Sequence, residues 1–202
     1  MKVAGVILAG GKATRMGGGD KGLKVVGGKR LLDHVIERLS PQCAPIALNA
    51  NGDPARFAEF ALPVLPDSIA DHPGPLAGVL AGLDWAAGIG ATHVVSAAAD
   101  TPFFPADLVA RLSEQAGGFA LAASRDADGK LWRQPTFGLW PVALRDDLRG
   151  ALENGLRKIV MWTDQHNAGL AEFPATPFDP FFNVNTPEDI AQAEALLAEA
   201  GA

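Results

Sequence analysis

The apolar residues of this chain fall into short runs that alternate between two periods. Val3 to Leu8 is an unbroken apolar run and reads as a buried strand. From Leu31 to Leu39 the apolar positions 31, 32, 35, 36 and 39 share one helical face, while Asp33, Glu37 and Arg38 fall off it. Pro45 to Asn49 and Pro63 to Pro66 read as short strands, with a short helix at Pro54 to Phe60 between them. Pro75 opens a helix reaching about Ala87, and Gly78 and Gly82 within it permit close approach by a ligand or by backbone. Thr92 to Ala99 is very apolar and predicts a central strand, followed by a helix from Pro105 to Gln115.

Phe119 to Ser124 reads as a strand, and Asp128-Gly129 is a hairpin signal. Leu131 to Trp140 returns as a strand broken by Pro135, which predicts an antiparallel intrusion. Helical segments are expected over Pro141 to Leu152 and Leu156 to Thr163, with a strand at Leu170 to Phe173. Thr186-Pro187-Glu188-Asp189 has the order of a helix start, N-cap, proline at the first position and acids in the first turn, and that helix runs to near Ala200. Strands alternating with helices predict an α/β fold with a mostly parallel sheet.

At 202 residues the chain reads as one domain. That length buries roughly 70% of the unfolded surface without staples. One cysteine, Cys43, excludes a disulfide framework and a cysteine-rich metal site. Met1-Lys2 leads straight into the first strand with no signal region, and no apolar stretch is long enough to span a bilayer. The expectation is a cytoplasmic protein away from membranes. A formal charge of −6 argues against nucleic acid as a partner. Yet positions 10 to 30 hold six basic residues (Lys12, Arg15, Lys21, Lys24, Lys29, Arg30) and one acid, Asp20. A cationic loop on an acidic protein suits a small anionic ligand.

That loop follows the first strand and carries glycines at 10, 11, 17, 18, 19 and 22. Glycine lets backbone N–H groups approach a phosphate closely, and successive N–H groups form an anion-binding concavity. It is not a P-loop. Counting from Gly5 puts Gly11 where the lysine belongs, and counting back from Lys12 puts Val6 and Ala13 at required Gly and Ser/Thr positions. The dinucleotide fingerprint also fails from Gly10, because Lys12 takes its second glycine.

Leu8-Ala9-Gly10-Gly11-Lys12-Ala13-Thr14-Arg15-Met16-Gly17, with Asp20-Lys21-Gly22 after it, resembles the signature loop of the nucleotidyltransferases. Asn49-Ala-Asn, Asp67-Ser, Gly74-Pro-Leu-Ala-Gly78, Asp100-Thr-Pro, Gln134-Pro-Thr and Asn183-Val-Asn-Thr-Pro-Glu-Asp189 follow in order. Together they resemble the bacterial molybdenum cofactor guanylyltransferase family over nearly the whole chain. The resemblance implies a three-layer, Rossmann-like fold, with a nucleotide-binding half to about residue 100 and an acceptor-binding half beyond. It also implies transfer of GMP from GTP to molybdopterin with release of pyrophosphate. Mg²⁺ is the implied cofactor. A GTP-binding accessory protein and the apo-molybdoenzymes that take the product are the implied partners.

Lys21 and Arg15 are the expected phosphate-binding cations, acting by electrostatic stabilisation. Asp100 closes an apolar strand, at the edge where ligands bind in open α/β sheets, and a lone aspartate suffices for Mg²⁺. The second metal ligand is Asn185 by resemblance, although Asn183 and Asn185 could equally bind the acceptor, as could Gln134. Leu8, Ala9, Gly10, Gly11, Asn49, Asp67, Pro75, Leu76 and Gly78 are expected around the base and ribose. Asp67 could accept from a guanine N–H edge or from the ribose. The four tryptophans, at 85, 132, 140 and 162, read as packing. The four histidines, at 34, 72, 93 and 166, show no metal-ligand spacing. Cytidylyl transfer to the same pterin, nucleotidyl transfer to a sugar phosphate and a non-catalytic GTP-binding module are the competing readings.

Overall fold

A computed structural model describes residues 1–11, 14–69, 74–126 and 128–200. Among them the strands are β1 (Val3–Leu8), β2 (Val25–Val26), β3 (Lys29–Arg30), β4 (Ile46–Asn49), β5 (Val64–Leu65), β6 (His93–Ala98), β7 (Ala120–Arg125), β8 (Leu131–Pro141) and β9 (Gly169–Phe173). The α-helices are α1 (Leu31–Leu39), α2 (Pro75–Gly88), α3 (Leu108–Ser113), α4 (Arg145–Glu153), α5 (Ile159–Gln165) and α6 (Pro187–Ala200). Seven strands form one sheet in the order β5-β4-β1-β6-β8-β7-β9, and β2 and β3 pair as a separate hairpin. β5, β4, β1 and β6 pair in parallel, as do β7 and β9. β8 runs antiparallel to both β6 and β7.

Each face of the sheet is covered, which is why its strands lack a polar face. Leu32, Val35 and Leu39 of α1 and Leu108 and Leu112 of α3 pack on one face. Leu76, Leu80 and Leu83 of α2, Leu148 of α4 and Trp162 of α5 pack on the other. α2 lies close on β1, since a β-carbon at Gly82 would sit 2.9 Å from Val6 Cγ1. A third cluster, with Val26, Leu31, Val184 and Ala193, ties the β2–β3 hairpin to α6.

Three expectations are corrected in detail. Pro135 does not break β8. Leu121 pairs with Gly138 and Ala122 with Gln134, so residues 135–137 bulge out of the ladder, where a proline needs no partner. The buried Ser96 hydroxyl serves this bulge, donating to Thr136 O at 2.8 Å and accepting from Trp140 Nε1 at 2.8 Å. α3 starts at Leu108 instead of Pro105. α4 starts at Arg145, because Val142 N still bonds Thr92 O beside β6, and a 3-10 turn at Val142–Leu144 follows.

The start of α6 is built as its residues dictate. Thr186 Oγ1 accepts from Asp189 N at 3.2 Å, while Asp189 Oδ2 accepts from Thr186 N at 2.9 Å and from Asn185 N at 2.8 Å. This reciprocal cap fixes Asn185 immediately before the helix.

Candidate active site

Leu8 pairs with Asn49 on one side and with Ala98 on the other, so β1, β4 and β6 end level. Their departing loops enclose a cavity of about 490 Å³, a size suited to a nucleotide. From β1 come Leu8, Ala9, Gly10 and Gly11, from β4 Asn49, Ala50 and Asn51, and from β6 Ala98, Ala99 and Asp100. Lys21 and Gly22, Asp67, Gly74 and Pro75, and Thr136 of β8 complete the wall.

At one end of this cavity Lys21 Nζ lies 2.9 Å from Asp100 Oδ2 and 2.6 Å from Asn185 Oδ1. The three residues come from the glycine loop, the end of β6 and the start of α6. The Lys21 and Asp100 side chains are only 18% and 21% exposed, so the pair is less screened than a surface ion pair. Thr101 Oγ1 donates to Asn183 Oδ1 at 2.7 Å, and Val184 N donates to Asp100 O at 2.8 Å. The segment 183–185 is thereby stitched to the residues that follow β6.

The glycine loop closes through Lys21 N donating to Gly11 O at 3.0 Å. Gly17, Gly18 and Gly19 have successive φ values of +81°, +86° and +78°, a path that residues with a β-carbon rarely take. Gly17, Gly19 and Gly22 do spell Gly-x-Gly-x-x-Gly. They lie well beyond β1 and lead into the 3-10 turn Lys21–Leu23, so the strand–turn–helix setting of a dinucleotide site is missing. Arg15 is exposed on the 3-10 turn Thr14–Met16, which Met16 anchors in the core, lies outside the cavity lining and makes no side-chain hydrogen bond among the described residues. Lys12 and His72 lie outside the described residues.

The opposite end is a cross-braced polar group. Asn49 Nδ2 donates to Asp67 Oδ1 at 2.9 Å and to Leu65 O at 3.1 Å. Asn51 Nδ2 donates to Asp67 Oδ2 at 2.8 Å, and Asn51 Oδ1 accepts from Asp67 N at 2.8 Å. Leu76 and Gly78 stand behind this wall. Leu76 is buried in the core under α2. A β-carbon at Gly78 would lie 2.2 Å from Asn49 Oδ1 and 2.8 Å from Leu8 Cδ2, so its contribution is the space it leaves for Asn49.

Arg56 carries no motif, and sequence reasoning passed over it. Its Nε lies 2.7 Å from Asp20 Oδ2, while Nη1 donates to Asp53 O and Nη2 to Asn51 O, each at 2.6 Å. One guanidinium thus joins the glycine loop to the loop that holds Asn51. Gln134 donates from Nε2 to Ser124 Oγ at 3.2 Å, beside the cavity and not in its wall. No group of three or more His, Cys, Asp or Glu that could hold a metal occurs among the described residues. Burial pushes the Cys43 thiol up to about 12, so it is not a thiolate nucleophile near neutral pH. No helix among the described residues is long and apolar enough to cross a membrane.

A sequence model of the MobA-like NTP transferase domain matches residues 5–168. The molybdenum cofactor guanylyltransferase of Bradyrhizobium sp. (strain ORS 278) is 52% identical over 203 residues, covering 97% of this chain and 93% of that protein. The protein of the same name from Nitrobacter hamburgensis is 52% identical over 201 residues, covering 96% and 94%. Among solved structures, molybdopterin-guanine dinucleotide biosynthesis protein A from Archaeoglobus fulgidus matches with a TM-score of 0.71 at 24% identity, covering 98% of this chain and 100% of that one. At that identity the likeness is one of fold.

Proposed function

Because the chain belongs to the MobA-like NTP transferase family of nucleotidyltransferases, we propose that it transfers GMP from GTP to molybdopterin, yielding the guanine dinucleotide cofactor and pyrophosphate. The observation that carries this reading is the convergence of Lys21, Asp100 and Asn185 at the end of a nucleotide-sized cavity on the sheet's carboxyl edge. The relatives' names supply the base and the acceptor.

In this reading the half up to about residue 100 holds GTP. Leu8, Ala9, Gly10, Gly11 and Pro75 wall the base and ribose, and the Asn49–Asp67–Asn51 brace presents a carboxylate to the guanine edge or to the ribose. Leu76 and Gly78 support that wall from behind. The half beyond residue 100 takes the acceptor, with Gln134, Asn183 and Asn185 facing it. A phosphate oxygen of molybdopterin forms a bond to the α-phosphorus of GTP, the bond to the β-phosphate bridging oxygen breaks, and pyrophosphate leaves. A phosphate dianion is already a nucleophile near neutral pH, so no side chain needs to remove a proton. The protein's work is positioning and charge neutralisation, as phosphoryl-type transfer requires. Lys21 and Arg15 neutralise the phosphate oxygens, and the closed glycine loop limits the reorganisation needed to do so.

Mg²⁺ fits the donor set. Asp100 Oδ2 and Asn185 Oδ1 are hard oxygens that both approach one cation, the Lys21 ammonium, and Mg²⁺ is held by one or two such ligands with phosphate oxygens and water. Asp100 and Asn185 would hold it, and it would supply further neutralisation of the triphosphate. In this reading the reaction runs in the cytoplasm, with a GTP-binding accessory protein and the apo-molybdoenzymes downstream as partners. The test is Mg²⁺-dependent pyrophosphate release with molybdopterin, comparing GTP with CTP, ATP and UTP. Release with GTP alone is expected. Release with CTP alone overturns the base assignment, and no release from protein that binds GTP overturns the enzymatic reading.

A further inference from the structure

Tryptophans in this chain divide sharply. Trp140 and Trp162 are fully buried and Trp85 is half-buried, whereas Trp132 on β8 leaves 49% of its surface exposed. An exposed indole normally swings between rotamers, but this one is held. Its Nε1 donates to Asp126 Oδ2 at 2.7 Å. Asp126 is itself fixed, because its Oδ1 accepts from Lys130 N at 2.9 Å and from Asp128 N at 3.1 Å. Lys130 Nζ stands 3.8 Å from the ring centroid, within cation–π range. The hydrogen bond and the Lys130 contact therefore order a ring that the fold covers only in part, at a cost in side-chain freedom.

Position connects the ring to the site. β8 is antiparallel to β6, so its first residues stand on the same edge of the sheet where β1, β4 and β6 end. Thr136 of β8 lines the cavity. Thr136 lies within the bulge at 135–137, and before it Gln134 and Trp132 are two residues apart, which places these two on one face of the strand. Contacts agree: Trp132 pairs with Ser124 across the ladder, and Gln134 donates to that same Ser124. At a rise of about 3.3 Å per residue, Trp132 lies about 7 Å along the strand from Gln134, and only Pro135 of the bulge separates Gln134 from Thr136 of the cavity wall. A molecule whose phosphate sits at the cavity's end, and whose flat ring system extends away along β8, reaches Trp132.

We infer that Trp132 is the stacking platform for the bicyclic pterin ring of the acceptor, with Lys130 backing the indole's other face. This assignment rests on the molybdopterin reading given above. It asks nothing of the tryptophan in the chemical step, since the ring holds the substrate at its far end.

Steady-state kinetics of pyrophosphate release should show Trp132→Ala raising the KM for molybdopterin about tenfold, the loss of one stacked heterocycle, with the KM for GTP and kcat unchanged. Trp132→Phe retains a ring and should recover most of the affinity; a phenylalanine variant as poor as the alanine one overturns stacking. An unchanged molybdopterin KM in Trp132→Ala also overturns it. Anaerobic titration with molybdopterin alone, followed by tryptophan fluorescence, separates the two proposals. Wild-type quenching that Trp132→Ala loses supports the platform even if no GMP is transferred, in which case only the transfer reading fails. Transfer by wild type with equal quenching in both proteins overturns the platform and leaves the transfer reading standing.

Discussion

The two sides of the sheet's carboxyl edge are made in contrasting ways. On the β1–β4–β5 side, the strands end level, and the polar side chains brace one another: Asn49 and Asn51 both donate to Asp67, and Arg56 ties their loop to the glycine loop. On the β8–β7 side, polar and aromatic groups project from a hairpin, and Trp132 and Arg133 are exposed. The first construction suits a ligand that must be discriminated from close analogues, because a braced group cannot turn to suit another base. The second suits a ligand held at several points along its length. The contrast is between a wall whose polar groups hold one another in place and a hairpin whose groups stand out toward solvent.

Substitutions can break or sharpen that contrast. Lys21→Ala strikes the centre shared by both sides, and should lower turnover about 10²- to 10³-fold while GTP binding, measured by calorimetry, falls far less. Gly78→Ala tests the rigidity of the nucleotide side. Its β-carbon would meet Asn49 Oδ1, turning Asn49 away from Asp67. A loss of about 1–3 kcal/mol in stability is expected from such overpacking, with the KM for GTP raised and the KM for molybdopterin untouched. An unchanged GTP KM would show that the brace is not rigid.

On the face of the sheet that α2 covers, Asp147 accepts from Trp162 Nε1 at 2.8 Å and lies 2.7 Å from His166 Nε2, joining α4 to α5. The Trp162 hydrogen bond, followed by the His166 contacts, holds its carboxyl below the usual value of 3.8. A depressed carboxylate stabilises the fold above its unfolded pKa, and that contribution is lost as pH falls through the folded value. The Asp147 side chain is more than half exposed, so solvent screening discounts this contribution; Asp147→Asn should cost less than about 1 kcal/mol at neutral pH and nothing below that window, which denaturant melts between pH 2 and 7 would read. The smallest effect is expected for Arg133→Ala. Its ion pair with Asp164 is exposed, so stability should move by about 0.5 kcal/mol or less.

Legibility followed burial. β1, α1 and β6 were readable because continuous apolar runs or a one-sided helical face leave few alternatives, and α6 because its cap is written in four consecutive residues. The β2–β3 hairpin was not, since two-residue strands carry no period. Pro135 argued for a break because the bulge that accommodates it depends on Ser96, distant in sequence. The motifs did lead to the residues that meet at the cavity, Lys21, Asp100, Asn185, Asn49 and Asp67. Gly78 read as a ligand contact, because a glycine that makes room for a side chain has the same letter as one that makes room for a substrate. The bracing by Arg56 and the held indole of Trp132 were not readable for a related reason. Each takes its meaning from partners that only folding supplies, in one case two loops and in the other a lone carboxylate across a turn.

The reversal of β8 has a consequence for how such an enzyme could be altered. Its pairing with β6, from His93–Pro141 to Ser96–Gly138, is confined to the strand's second half. The first half, residues 131–134, pairs with β7 instead, from Arg125–Leu131 to Ala122–Gln134, so changes there leave the β6 register in place. The cavity wall, by contrast, is drawn from several separate segments, so altering it would demand coordinated edits, whereas the hairpin is one segment with two junctions.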